Sequence, residues 1–216
     1  MSSPDKFEIF YIRHADTRNG TNDDRCKCDI DISSLGEKQI ALLSERFKGK
    51  EFDAVLCSPL VRCVKTAAAI CDNLSNDPDI EIMPELIENG TLPGYTGPDM
   101  NYLRKYHNNI ILCKDRIIRN LRNKTDRQND ARAKKIIKYL RRRFNYGQKI
   151  LVVCHGSFGN HFIPAAAEMK KGRYILSVSN TSVSKIKYTS DGKIRISFLN
   201  DISHLRPLMQ NYEFDT

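Results

Sequence analysis

Apolar and polar positions along this chain change period repeatedly, and each change marks an element. Lys6 to Ile12 has the length and composition of a buried strand. Ser34-Leu35-Gly36-Glu37 has the form of a capping box, opening a helix that carries Ile40, Leu43 and Phe47 on one face. Asp53 to Cys57 predicts a short strand running into Ser58 as N-cap and Pro59 as first helical residue, with the helix reaching about Leu74. Ile80 to Met83 reads as a strand, followed from Glu85 to Asp99 by a stretch too rich in glycine and proline to be regular. Ala133, Ile136, Ile137, Leu140 and Phe144 fall at helical spacing. Lys149 to Cys154 has the unbroken apolar character of a strand covered on both faces, and Ser182 to Leu199 predicts a hairpin turning at Asp191-Gly192. Helices interleaved with apolar strands predict a three-layer α/β/α sandwich with a mostly parallel central sheet.

Composition narrows the setting. A chain of 216 residues with 40% hydrophobic residues suits one core, so residues 1–216 are expected to form a single domain. The polar start MSSPDK has no long apolar signal region, and no stretch approaches the roughly 20 apolar residues of a membrane span. A soluble, cytoplasmic protein is expected. The seven cysteines are odd in number and scattered, which favours buried free thiols over a disulfide framework.

Charge is concentrated in one place. Lys114 to Arg143 holds thirteen basic and three acidic residues, more than the net +9 of the whole chain. Such a run could bind nucleic acid or an acidic partner. A solvated helix face is preferred, because Lys134, Lys135, Lys138, Arg141, Arg142 and Arg143 point mostly away from the apolar spacing and no aromatic residues alternate among them.

The candidate chemistry lies at strand ends. FYIRHADT sets Arg13 and His14 after one apolar run, and ILVVCHGS sets His155 after another. SPLVRCVKTA carries Arg62 in the first turn of a helix, where unpaired N–H groups favour an anion. In a parallel sheet, ligands sit beyond the carboxyl ends of the strands, where both histidines fall. Two histidines, two arginines and a helix start point to a phosphate pocket.

RHADT, SPLVRCVKTA, LVVCHG and the late NDISHL occur in this order across nearly the whole chain, and together they resemble the histidine phosphatase superfamily, branch 1, with its phosphoglycerate mutase-like fold. The resemblance implies that His14 attacks phosphorus to form a phosphohistidine and that Arg13, Arg62 and His155 hold the phosphoryl oxygens. It also implies that Asn19, Thr17 and Ser157 help to bind substrate, and that neither metal nor cofactor is needed. An acid from the loop after the third strand protonates the leaving group; the family pattern places Glu88 there, with Glu85 as rival. His107, His161 and His204 are assigned to structure, and Cys26-Lys27-Cys28 to a loop, since no second cysteine pair completes a metal site. No phosphate-binding G-x-x-x-x-G-K-[ST] loop and no nucleophile elbow occurs.

The favoured function is hydrolysis of a phosphomonoester, either a phosphorylated small molecule or a phosphoprotein. A phosphoglycerate mutase would use the same His14, but its long Arg- and Pro-rich insert is not visible after Glu88. A non-catalytic member binding a partner through the basic helix is the third reading.

Overall fold

The first apolar run becomes strand β1 (Asp5–Arg13), and the sheet is built around it. The protein is described by a computed structural model covering residues 5–17, 22–23, 26–90, 92–119, 121–170 and 175–209. With β4 (Ala54–Cys57), β5 (Ile80–Ile82), β6 (Ile110–Leu112), β7 (Gln148–Cys154), β8 (Val183–Thr189) and β9 (Ile194–Asp201), β1 forms a seven-stranded sheet. The order is β6-β5-β4-β7-β1-β8-β9. Strands β6 to β1 pair in parallel, while β8 and β9 add the expected hairpin as an antiparallel edge. A small hairpin of β2 (Asn22–Asp23) and β3 (Cys26–Ile30) stands apart from the sheet.

Alternation along the strands feeds two cores. Phe7, Ile9, Tyr11, Ile150 and Val152 face α4 (Asp126–Arg143) and α5 (Gly156–Ala166), packing on Ile136, Leu140, Phe158 and Phe162. Ile12, Val55, Leu151 and Val153 face α1 (Ser34–Phe47) and α2 (Val61–Cys71), packing on Leu43, Phe47 and Val64. The three layers and the mostly parallel central sheet are those anticipated. Two one-turn helices, α3 (Met100–Leu103) and α6 (Arg206–Met209), complete the chain. Among the described residues, no helix is long and apolar enough to cross a membrane.

Several boundaries differ from the sequence expectation, each for a local reason. The N-cap of α1 is Ser33, whose hydroxyl accepts from Gly36 N at 3.1 Å while donating to the buried Asp16 carboxylate at 2.6 Å. Asp16 thereby draws the cap one residue upstream of Ser34. Helix α2 begins at Val61 rather than Pro59, because the Ser58 hydroxyl is committed to a histidine ring and cannot cap. Asp29 caps instead, accepting from Val61 N at 2.9 Å. That helix also ends at Cys71, three residues before Leu74. The capping box proper opens α4, between Thr125 and Gln128, and the basic run before it is not helical. Strand β6 escaped the sequence reading, since three residues show no period. Helix α5 escaped because its start coincides with the His155 motif. Cys26 to Cys28 belong to strand β3 rather than a loop.

Gly36 sits where α1 crosses the chain behind His14, and a Cβ there would lie 2.4 Å from the Asp16 carbonyl oxygen. Backbone cannot yield as a side chain can, so Gly36→Ala is expected to cost about 1–3 kcal/mol. The measurement is a lowered midpoint in urea unfolding, with wild-type stability as the contrary result.

Candidate active site

The β1–β7 register sets Arg13 opposite Cys154, so the next residues, His14 and His155, leave the sheet as neighbours with ring centroids 5.2 Å apart. The end of β1 is pinned on several sides. His14 N donates to Cys154 O at 2.9 Å, Ala15 N to Thr66 Oγ1 at 3.1 Å, and Asn180 Nδ2 to His14 O at 3.0 Å. His14 Nδ1 lies 2.7 Å from the Ala15 carbonyl oxygen. A carbonyl can only accept, so Nδ1 carries the proton and Nε2 keeps its lone pair. His14 retains 5% exposure. Burial, then Arg62 and Arg13, hold its pKa well below the ordinary 6.5, so the imidazole is neutral.

His155, fully buried, is fixed by the element ends around it. Its Nε2 lies 2.6 Å from Ser58 Oγ, its carbonyl accepts from Tyr11 OH at 2.7 Å, and Cys63 Sγ lies 3.6 Å from its ring. Burial and the charge of Arg62 push its pKa down as well. Arg62, in the first turn of α2, lies 3.8 Å from the Asp29 carboxylate. Arg13 donates from Nη1 to Val178 O at 2.7 Å and passes so close to Gly156 that a Cβ there would be 3.0 Å from Nε. A side chain at position 156 would push the guanidinium aside.

The two rival carboxylates part company. Glu88 Oε2 is 3.7 Å from His155 Nδ1, and donor atoms of His14, Glu88 and His155 lie within 4.8 Å of one another. Burial raises the Glu88 pKa above 4.5, partly offset by hydrogen bonds to Oε1 from Asn89 N and Phe158 N. Glu85 is buried elsewhere, accepting from Ile118 N at 3.0 Å. The same three donors have the chemistry to bind a metal ion. Arg13 and Arg62 beside them make the hollow far better suited to an anion.

The loop carrying Glu88 is clamped from α4. Arg132, 2% exposed, donates to the carbonyls of Glu85 and Ile87 at 3.2 and 2.5 Å and to Asn89 Oδ1 at 2.7 Å. Its guanidinium stacks 3.8 Å above the Phe158 ring. Asn123 grips the alternate residues, with Nδ2 donating to Glu88 O at 2.9 Å and its carbonyl accepting from Gly90 N at 2.7 Å.

The structure therefore brings together Arg13, His14, Arg62, Glu88 and His155. Thr17 is half-buried three residues beyond His14, Ser157 is exposed on the outer face of α5, and Asn19 lies outside the described residues. His204 contacts Arg46 Nη1 and Thr181 Oγ1, both at 3.2 Å. Sequence reasoning missed Ser58, Asp29, Asn180 and Arg132. Only Arg132 left a readable signal: it stands four residues before Ile136, on the apolar face of a helix whose other cations point outward.

The family model for the histidine phosphatase superfamily, branch 1, matches residues 9–202. Among solved structures, a phosphoserine phosphatase from Entamoeba histolytica in complex with 3-phosphoglyceric acid is 20% identical, with TM-score 0.62 over 92% of this chain and 99% of that one. An alpha-ribazole phosphatase from Shigella flexneri is 20% identical, with TM-score 0.63 over 90% and 96%. The protein histidine phosphatase SixA, complexed with tungstate, is 16% identical, with TM-score 0.55 over 92% and 99%. At these identities the shared property is the fold. No curated protein matches the chain.

Arg132→Lys would leave buried carbonyls of the 85–89 loop without their forked donor. A loss of about 2–4 kcal/mol is expected, from one or two orphaned acceptors. Urea unfolding checks this, and a variant as stable as wild type would contradict the clamp.

Proposed function

The chain belongs to the histidine phosphatase superfamily, branch 1, and on that premise we propose that it hydrolyses phosphomonoesters through a phosphohistidine on His14. The observation that carries this reading is the hydrogen bond from His14 Nδ1 to the Ala15 carbonyl, which leaves the lone pair on Nε2 of a neutral ring. In the first step Nε2 bonds to phosphorus and the ester oxygen departs with the proton of Glu88. Arg13, Arg62 and His155 receive the charge that spreads over the phosphoryl oxygens. In the second step water attacks phosphorus, its proton passes to the Glu88 carboxylate, the P–N bond breaks and inorganic phosphate leaves. The fixed cations supply the charge stabilisation that a divalent ion gives in other phosphoryl transfers.

Phosphatase relatives of the same fold act on unlike substrates, among them a phosphoserine phosphatase, an alpha-ribazole phosphatase and a protein histidine phosphatase. The substrate class is accordingly a phosphomonoester or a phosphorylated protein. The buried free thiols Cys57, Cys63, Cys71, Cys113 and Cys154 support a reducing, cytoplasmic setting.

His14→Ala is expected to lower hydrolysis of an aryl phosphate by at least about 10³-fold with the fold intact. Undiminished turnover by pure variant protein, alongside a native circular dichroism spectrum, would remove the mechanism. Glu88→Gln is expected to lose about 10²–10⁴-fold on an alkyl phosphate, whose leaving group needs a proton, and much less on p-nitrophenyl phosphate. Glu85→Gln is expected to show no such leaving-group dependence.

The pH profile of kcat/KM follows from the two shifted groups. The acid form of Glu88 is the active one, so activity on the alkyl phosphate falls as pH rises through its raised pKa. The neutral form of His14 is the active one, so activity holds below the ordinary imidazole value of 6.5. Loss of activity as pH drops from 7 to 6, from a titrating nucleophile, would contradict this assignment.

A further inference from the structure

Helices α4 and α5 pack side by side and leave two hollows along their outer seam, of about 510 and 530 Å³. Both are lined by Lys134, Pro164, Ala165 and Met169, so they adjoin along the seam and together make a groove. Its first end is lined by Asn89 and Ser157, the residues next to Glu88 and two beyond His155. Its far end runs under Lys138, Arg141 and Arg142. Each hollow alone has the size of a small-molecule pocket, about 300–1,000 Å³. Two in line suit an extended occupant.

We propose that this groove seats the chain flanking a phosphorylated residue, and that the preferred substrate is a phosphoprotein whose flanking segment is acidic. This rests on the reading of His14 and Glu88 as a phosphatase site. Charge complementarity identifies the occupant. The exposed wall formed by Lys134, Lys138 and Arg142 belongs to the segment that holds the chain's excess positive charge. Arg132 is buried against the acid loop, Arg143 pairs with Glu81, and Arg141 pairs with Glu168 at 2.5 Å. Near the first end the negative charges face a ring: His161 Nδ1 lies 2.6 Å from Asp130, and Nε2 lies 3.8 Å from Asp126. The favourable end for acidic side chains is therefore the far one.

The floor between is apolar, with Ile137, Pro164, Ala165 and Met169, as a polypeptide's mixed side chains require. A nucleic acid fits less well, because among the described residues no Phe or Tyr lines either hollow to stack on a base. Spacing makes the proposal specific. Lys134 and Arg142 stand about 12 and 24 Å along the axis from Asp126, at about 1.5 Å per residue. In an extended chain at about 3.3 Å per residue, the roughly 12 Å between Lys134 and Arg142 is spanned by about four residues, so a block of four acidic side chains would meet both.

The test compares two pairs of phosphoserine peptides, with four glutamates or four glutamines at positions four to seven on either the N- or the C-terminal side. One glutamate peptide is expected to exceed its glutamine partner about tenfold in kcat/KM, with the advantage shrinking as salt is added. Lys138→Glu combined with Arg142→Glu is expected to abolish that advantage while leaving p-nitrophenyl phosphate turnover unchanged. Equal rates for the glutamate and glutamine peptides in both pairs, or an advantage that survives the double charge reversal, would overturn the proposal. So would tight binding of a single-stranded oligonucleotide at physiological salt, lost in the charge-reversed variant, without any preference for the acidic peptides. Anisotropy of the labelled peptides reads the groove directly. If the wild-type protein turned over no phosphate ester at all, selective binding of the glutamate peptide would still support the groove while the phosphatase reading failed, and absent selectivity would sink it.

Discussion

Strand β1 pairs in parallel with β7 so that Arg13 meets Cys154, and everything chemical in the molecule descends from that register. The two histidines follow directly on these partners and leave the sheet side by side. Because the side-chain period of a strand is two, a slip of one residue would turn Ile9 and Tyr11 out of one core and separate the rings at the same time. Burial of both sheet faces thus fixes the register, and the register fixes the site. The strands on either side extend the effect. Ser58 follows β4 and reaches His155 Nε2, while Asn180, ahead of β8, donates to the carbonyl of His14.

The hollow so formed is buried and cationic, a costly environment that the surrounding polar groups make tolerable. Two guanidiniums and two imidazoles converge there, largely buried. Burial resolves the conflict by keeping both rings neutral. It also raises the pKa of the nearby carboxyl above the ordinary value. The hydrogen bonds from His14 to Ala15 and between His155 and Ser58 then decide which ring nitrogen faces the hollow. For the proposed chemistry these are the relevant consequences: a neutral nucleophile, a carboxyl that binds its proton more tightly than usual, and fixed positive charge where a transferring phosphoryl group would sit.

Helix α4 has two faces with different tasks. Its inward side carries Arg132 among Ala133, Ile136 and Leu140, and that one buried cation ties down the loop bearing Glu88. Its outward side carries the exposed lysines and arginines that wall the groove beside α5. One amphipathic helix therefore links the geometry of the acid to the charge of the outer surface.

From residues alone, the long apolar runs and the plain helical periods were readable: β1, β7, the terminal hairpin, and the helices holding Leu43 and Ile136. So was the delivery of Arg13, His14, Arg62 and His155 to one sheet edge, since each follows a strand or opens a helix whose period is plain. Short pieces were not readable, because three residues at Ile110–Leu112 or a helix start at Gly156 carry no period of their own. The choice of Glu88 over Glu85 came from the resemblance and not from period: both stand in one irregular loop, and the grip of Arg132 and Asn123 holds that loop with one carboxylate at the hollow and the other buried beside Ile118. Ser58 shows the limit most simply, for its sequence context describes a helix cap, and its hydroxyl was instead taken by a histidine almost a hundred residues later. Local period determines what an element is and which face it buries; which polar groups meet is decided by strand register and loop closure, where distant hydrogen bonds outcompete the local ones.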